Sequence, residues 1–260
     1  MSEAEELFTL RTLFWIGNYQ GGINEANGMT KLKPNVAAEK DEWVYRCYIG
    51  LGQYNLVIGE IAENPTTPIG KRALRLLAAY YDNFETKEAV YEKLSQWLSD
   101  ASFNQNRTLR TVAATVYMND DNFKDAFRIL MQPNCLEHHA MLVEVFLKMF
   151  RTDLADKQLK VMKGIDEDAV LTMLATAQVN LAPNSTKIQD AVYIYEELID
   201  KYGGTLFLLN GIAVAKMQLG LFEEAETALQ DSLTKNTSDA DTLANLIVVS
   251  HHLERPPEVI

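Results

Sequence analysis

The stretch from Thr205 to Leu229, TLFLLNGIAVAKMQLGLFEEAETAL, constrains the fold more than any other part of the chain, because it reads as one complete helical hairpin. Leu209, Ile212 and Ala213 fall on one helix face and fill large, large and small packing slots. Gly220 supplies a turn and Phe222 opens a second helix. Ala225 and Leu229 then face back onto the first helix, the small alanine letting two helix axes approach closely.

The small residue of each second helix can be followed along the chain as Gly22, Val57, Ala89, Ala126, Ala155, Ala191 and Ala225, with spacings of 35, 32, 37, 29, 36 and 34 and a mean of about 34. That is the tetratricopeptide period; ankyrin units are nearly as long but carry a Thr-Pro-Leu-His turn that is absent here. A single alanine match is weak, so the repeat rests equally on four similar turns: Gly17-Asn18-Tyr19, Gly52-Gln53-Tyr54, Asp121-Asn122-Phe123 and Gly220-Leu221-Phe222. In each, a residue tolerant of unusual backbone angles precedes an aromatic that starts the next apolar stripe. Leu109, Ala113, Ala114 and Tyr117 mark another helix face, as do Leu171, Leu174, Ala175 and Gln178, and no stretch sustains the alternation of a strand. Pro34, Pro65, Pro68, Pro133 and Pro183 fall where helices should end. The expected fold is all-α: an irregular, curved, tetratricopeptide-like α-solenoid of about seven helical hairpins, continuous over residues 1–260 as one domain.

With 47% hydrophobic residues the chain can bury a substantial core. Its 36 acidic against 24 basic residues, a formal charge of −12, disfavour nucleic acid, whose binding is built on cations neutralising phosphates. The acidity suits either a protein partner or simple dispersal in water. The acidic start Met1-Ser2-Glu3-Ala4-Glu5-Glu6 lacks a signal pattern, and no apolar run nears the roughly 18 residues of a membrane span, so a cytosolic location is expected. Cys47 and Cys135 lie outside any CxxC pattern and are expected to be buried structural thiols. Asn106, Asn184 and Asn236 match the glycosylation acceptor pattern but are expected at turns and caps.

Catalytic motifs are missing: there is no glycine-rich phosphate loop, no GxSxG elbow and no HExxH pair. His138-His139 and His251-His252 are adjacent pairs, pointing about 100° apart on a helix, and are expected on the surface or in a groove rather than on a metal. Asp166-Glu167-Asp168 reads as an acidic N-terminal cap for a helix starting near Ala169. Cys135 with His138 lacks an orienting third group. No catalytic, cofactor-binding or metal-binding residue is expected, and the chain is not expected to be an enzyme.

In this architecture the binding surface is formed by outward positions of each first helix. In the clearest repeat these are Phe207, Asn210, Val214, Met217 and Gln218, three of them apolar at nominally exposed places. They either contact a partner or pack on the adjoining repeat. The same count gives Thr108, Thr111, Thr115, Met118 and Asn119 in a central repeat, and Ala169, Thr172, Thr176, Val179 and Asn180 further on. The expected lining is therefore nearly uncharged.

Particular strings go beyond a generic repeat: Leu7-Phe8 followed by Ile16-Gly17-Asn18-Tyr19-Gln20 and Ile23-Asn24-Glu25-Ala26; Asp166 to Thr172 with Leu174 to Ala177; and Gln189-Asp190-Ala191 before Tyr195. Stronger still are Thr205 to Gly220, with Leu208-Leu209-Asn210-Gly211 at its centre, and Asn245 to Ser250 with His252-Leu253 and Pro256-Pro257-Glu258-Val259. In these strings the chain resembles the coatomer epsilon-subunit family, over nearly its whole length. The resemblance implies a non-enzymatic structural subunit of the COPI coat in Golgi-to-ER and intra-Golgi transport. It implies binding to the C-terminal domain of the alpha coatomer subunit, with the solenoid curling around a projecting part of it as a heterodimer within the heptameric coat. Membrane association would be indirect, with no small-molecule substrate and no cofactor, in the cytoplasm and peripherally on Golgi membranes and COPI vesicles. The family continues beyond the position matching Ile260, so the resemblance also implies that a capping C-terminal tail is missing here. The alternative is a tetratricopeptide adaptor or co-chaperone binding peptide segments. That class clamps an acidic peptide with groove lysines and arginines, where the counted positions here are threonine, valine, methionine and asparagine.

Overall fold

The computed structural model describes residues 5–83 and 86–255. Within them the chain is helical with no strand. A 3-10 turn at Glu5–Leu7 leads into α1 (Phe8–Trp15), followed by α2 (Tyr19–Gly28), α3 (Pro34–Gly50), α4 (Tyr54–Glu60), α5 (Ile69–Tyr81), α6 (Lys87–Ser99), α7 (Arg107–Asn119) and α8 (Phe123–Leu130). Then come α9 (Leu136–Lys148), α10 (Thr152–Ile165), α11 (Val170–Asn180), α12 (Ile188–Tyr202), α13 (Leu206–Gln218), α14 (Phe222–Lys235) and α15 (Ala240–His252). In chain order these make seven consecutive helix pairs and a fifteenth helix, the all-α repeat architecture that the 34-residue period predicts. The string Pro256 to Val259 lies outside the described residues.

The turns explain why the pairs form. Gly52 and Gly220 take φ of +72° and +76°, and Asp121 takes +57°, the left-handed conformation that closes a helix. Behind each, the next amide reaches back five residues: Gln53 N to Tyr48 O at 2.9 Å, Asn122 N to Tyr117 O at 2.8 Å and Leu221 N to Lys216 O at 3.0 Å. Those bonds satisfy carbonyls that the helix end would otherwise leave bare. Phe150 makes the same turn after α9, with φ +57° and Arg151 N bonded to Phe146 O at 2.8 Å, although phenylalanine has no preference for that conformation.

Helix starts are capped by side chains that accept backbone N–H groups: Thr86 for α6, Asn106 for α7, Asn122 for α8, Thr205 for α13 and Asp239 for α15. Asn106 thus works as a cap, Asn184 as a left-handed turn at φ +64° and Asn236 as the end of α14, as expected of all three. Pro34 opens α3 at its first turn, where its missing N–H costs nothing. Asp168 corrects an expectation: the cap of α11 is Ala169, with no side-chain bond, while Asp168 N is held by Asp166 Oδ1 at 3.2 Å. The acidic triplet forms its own turn rather than capping the helix.

Six of the seven small slots are buried, from Gly22 to Ala225. In α6 the register is shifted by one, because Ala89 is only half-buried and Val90 takes the buried place.

The helices group into two compact units, one of Met1–Phe14 with Asn18–Arg151, the other of Trp15–Gly17 with Thr152–Ile260. The first has a core running from Ile49 and Val57 through Leu74, Val90 and Leu94 to Leu109 and Val116, with a second around Ala114, Ala126, Leu130, Leu142 and Val145. The second is centred on Ala213, Ala225, Leu229, Leu246 and Val249, which vindicates the packing slots assigned to the clearest repeat. There Gly211 is required: a Cβ on it would sit 2.5 Å from the Tyr195 ring of α12. Also in this unit, the buried Thr205 hydroxyl donates to Ile16 O, tying residues 15–17 to the start of α13.

Candidate functional site

In the first unit, α3 presents Glu39, Glu42, Trp43 and Arg46 at the spacing of one helix face. Arg46 forks onto Glu137 of α9, with Nη1 donating to Oε2 at 3.1 Å and Nη2 to Oε1. Its guanidinium lies 4.1 Å from the centre of the Trp43 ring and 4.4 Å from that of Phe14. The pair is nearly dry, with 12% and 8% of the side chains exposed. Burial alone would raise the Glu137 carboxyl, but Arg46 and then Arg107 outweigh it and hold it below the ordinary carboxylate range. Beside it His138 is fully buried, Nε2 lying 3.2 Å from Thr111 Oγ1 and 3.3 Å from Arg107 O. Burial, helped by the charge of Arg110, pushes its imidazole down to about 4. His138 is therefore a core residue and not the surface or groove histidine that an adjacent pair suggests; its neighbour His139 is half-buried, and His251 and His252 are exposed.

Three cavities run along this face. A cleft of about 910 Å³ is lined by Glu39, Glu42, Trp43, Arg46, Arg107, Thr108 and Cys135 among others. It shares Arg46 and Thr108 with an aromatic cavity of about 330 Å³ holding Phe14, Tyr19, Tyr54 and Tyr81. Thr115 in turn joins that cavity to one of about 160 Å³ bounded by Met118, Asn119, Phe123, Met141, Glu144 and Lys148. The expected groove residues of α7 are thus brought together: Thr111 and Thr115 line the aromatic cavity, Thr115 and Met118 the smaller one. Thr111 is itself buried, and the Thr115 hydroxyl donates back to Thr111 O at 2.9 Å, so its donor is already used within the helix. The lining is not as uncharged as the three counted repeats imply, because α3, which was not counted, brings Glu39, Glu42 and Arg46 to it.

In the second unit the expected residues lie on α11 and α13. Thr172 and Val179 are buried, Thr176 is half-buried and donates to Thr172 O at 2.7 Å. Phe207 is 43% exposed, Val214 and Met217 are half-buried and Gln218 is exposed, its amide reaching Leu181 O at 3.3 Å. Met217 also packs against the Ala213–Leu229 core. Asn210 is committed to the next repeat: its Nδ2 donates to Leu206 O and Thr242 Oγ1 at 3.0 and 2.8 Å, and its Oδ1 accepts from Asn245 at 2.9 Å.

Cys47 is buried and Cys135 half-buried, neither in a disulfide; burial pushes the Cys47 thiol up to about 12. No group of three or more metal-ligating side chains occurs among the described residues. None of their helices is long and apolar enough to cross a membrane.

The model of the family described as coatomer epsilon subunit matches residues 3–260. The chain is 42% identical to coatomer subunit epsilon-2 of Arabidopsis thaliana over 249 residues, covering 96% of this chain and 84% of that protein. It is 37% identical to coatomer subunit epsilon of Dictyostelium discoideum, over 98% of this chain and 87% of the other. With the probable coatomer subunit epsilon of Schizosaccharomyces pombe identity falls to 23% over 94% and 80%. A match over nearly the whole length, on an all-helical repeat scaffold, places this chain in the coatomer epsilon-subunit family, as a component of that coat.

Proposed function

We propose that the chain is a non-enzymatic structural subunit of the COPI coat in Golgi-to-ER and intra-Golgi transport, and that it holds the C-terminal domain of the alpha coatomer subunit in a heterodimer. The contact is made by the first-helix faces: Thr111, Thr115 and Met118 in one unit, and Thr176, Phe207, Val214, Met217 and Gln218 in the other, while Thr172 and Val179, which are buried, and Asn210, which is bonded to Thr242 and Asn245, support that face from behind. The coat then brings the chain from the cytoplasm to Golgi membranes and vesicles. The observation that supports this reading is the run of adjoining cavities beside α3 and α7, whose aromatic middle is lined by Phe14, Tyr19, Tyr54 and Tyr81 and can take the side chains of a bound segment. A carboxylate-clamping adaptor is less well supported, because the groove arginine Arg46 is already forked onto Glu137.

The test is co-expression with the alpha coatomer C-terminal domain from the same organism, followed by size-exclusion chromatography with light scattering. A 1:1 complex is expected. Separate elution of two folded proteins would contradict the proposal.

A further inference from the structure

Glu42 sits between α3, α5 and α7 on the wall of the 910 Å³ cleft, half-buried, its one polar partner among the described residues being the hydroxyl of Thr108. On the α5 side it is so tightly placed that a Cβ on Gly70 would come within 2.2 Å of its Oε1. The cations around it are all directed elsewhere. Arg46, one turn along α3, forks onto Glu137. Lys71 of α5 bonds Asp41 at 2.9 Å. Arg107 at the start of α7 lies 3.8 Å from Glu39 and 3.9 Å from Glu137. Glu39, the other carboxylate on this face, adds to the negative charge, and the cleft as a whole carries four carboxylates against three cations.

A half-buried carboxylate with one hydroxyl donor and no cation bonded to it among the described residues is costly to keep ionised, and the cheapest completion is a cation delivered from outside. We infer that Glu42 is a subsite for one lysine or arginine side chain of the bound partner segment, with the adjoining aromatic cavity of Phe14, Tyr19, Tyr54 and Tyr81 taking an apolar neighbour of that residue. This rests on the groove reading above and names the chemistry of what enters it. Charge complementarity argues for the occupant: the cleft is net acidic, and its two arginines already face carboxylates of the chain, so an acidic segment would meet repulsion where a basic one completes a pair. Burial lifts the Glu42 carboxyl above its ordinary range, against the opposing Thr108, Arg46 and Lys71, so the free site is partly discharged as pH falls and the bound site is not. Affinity should therefore drop as pH is lowered through that range.

The experiment is calorimetric titration of the intact chain and its Glu42→Gln variant with the alpha coatomer C-terminal domain, whose lysines and arginines are replaced one at a time by alanine. Glu42→Gln keeps an acceptor for Thr108 and is expected to match the wild-type melting temperature while binding roughly thirtyfold or more weakly. One partner lysine or arginine should lose its effect in the Glu42→Gln background. Wild-type binding with an unchanged affinity for Glu42→Gln would overturn the subsite and leave the groove reading standing. Loss of affinity with no coupled partner cation would also overturn it. Failure of the wild-type chain to bind would overturn the groove reading and the subsite with it.

Discussion

The two units solve one problem in different ways. Each must join the first helix of a repeat to the first helix of the next, and both do so from the fifth position of that helix. In the second unit Asn210 reaches Thr242 and Asn245 of α15, also meeting Ser232 of α14 at 3.4 Å, a network of hydroxyls and amides whose one charged member is the capping Asp239, which accepts from the Thr242 hydroxyl at 2.6 Å. In the first unit the equivalent Thr111 meets Glu137 and His138 of α9, and the joint is completed by the buried Arg46–Glu137 pair. A joint that contains neither a buried ion pair nor a buried imidazole depends less on pH than one built on both. The first unit should therefore be the more acid-sensitive part of the molecule and the second the less sensitive one.

The largest effect should come from splitting the ion pair. Arg46→Ala leaves the buried Glu137 with only the more distant Arg107 at 3.9 Å and the Thr111 hydroxyl at 3.5 Å, and should cost about 3 kcal/mol of stability, read from urea unfolding. Replacing both partners by apolar residues should recover most of the loss, and a double variant as weak as Arg46→Ala would break the comparison. Next is pH. His138 has a folded-state pKa of about 4 against an ordinary 6.5, so between these values the unfolded chain binds more protons than the folded one. Its neutral, buried state is compatible with full stability above pH 6.5, and about 3 kcal/mol should be lost as pH falls from 6.5 to 4. Glu137, whose carboxyl is depressed, adds a further loss only below the ordinary carboxylate range. Hydrogen exchange should show α7 and α9 losing protection between pH 7 and pH 5 while α13 and α14 hold theirs, and His138→Gln should flatten the difference. Equal loss in both units would contradict it.

A smaller effect, in the second unit, is expected from Ala225→Trp, which overpacks the fully buried contact of α13 with α14 and should cost about 1–3 kcal/mol at any pH, seen by circular dichroism on heating. The smallest is a gain. Phe150→Gly releases a left-handed backbone on a side chain that is 82% exposed, and should stabilise the first unit by about 1 kcal/mol. A loss would mean that the ring does more than end α9.

What could be read from the sequence differs in the same way. The α13–α14 hairpin follows its consensus slot by slot, and turns built on Gly52, Asp121 and Gly220 announce themselves because those residues accept left-handed angles. The turn at Phe150 is silent, since its conformation is set by the backbone bond from Arg151 N to Phe146 O that closes α9, on a residue with no such preference. Val90 displaces Ala89 from its slot because valine and alanine both suit a close contact and only the helix phase decides between them. The charged face of α3 left a trace in the spacing of Glu39, Glu42 and Arg46, but a count restricted to the regular repeats passes over it. His138 could not be read as buried, because what buries it is Arg107, Thr111 and Glu137, brought together from α7 and α9.

The claim that the first-helix faces hold the alpha coatomer C-terminal domain is tested most directly by the affinity of Val214→Glu, set against Tyr193→Glu on the exposed side of α12. A carboxylate at Val214 would be buried without a partner in the complex, so binding should weaken by roughly thirtyfold or more with helicity unchanged, while Tyr193→Glu should bind like the wild type. Undiminished binding by a folded Val214→Glu chain would contradict the account.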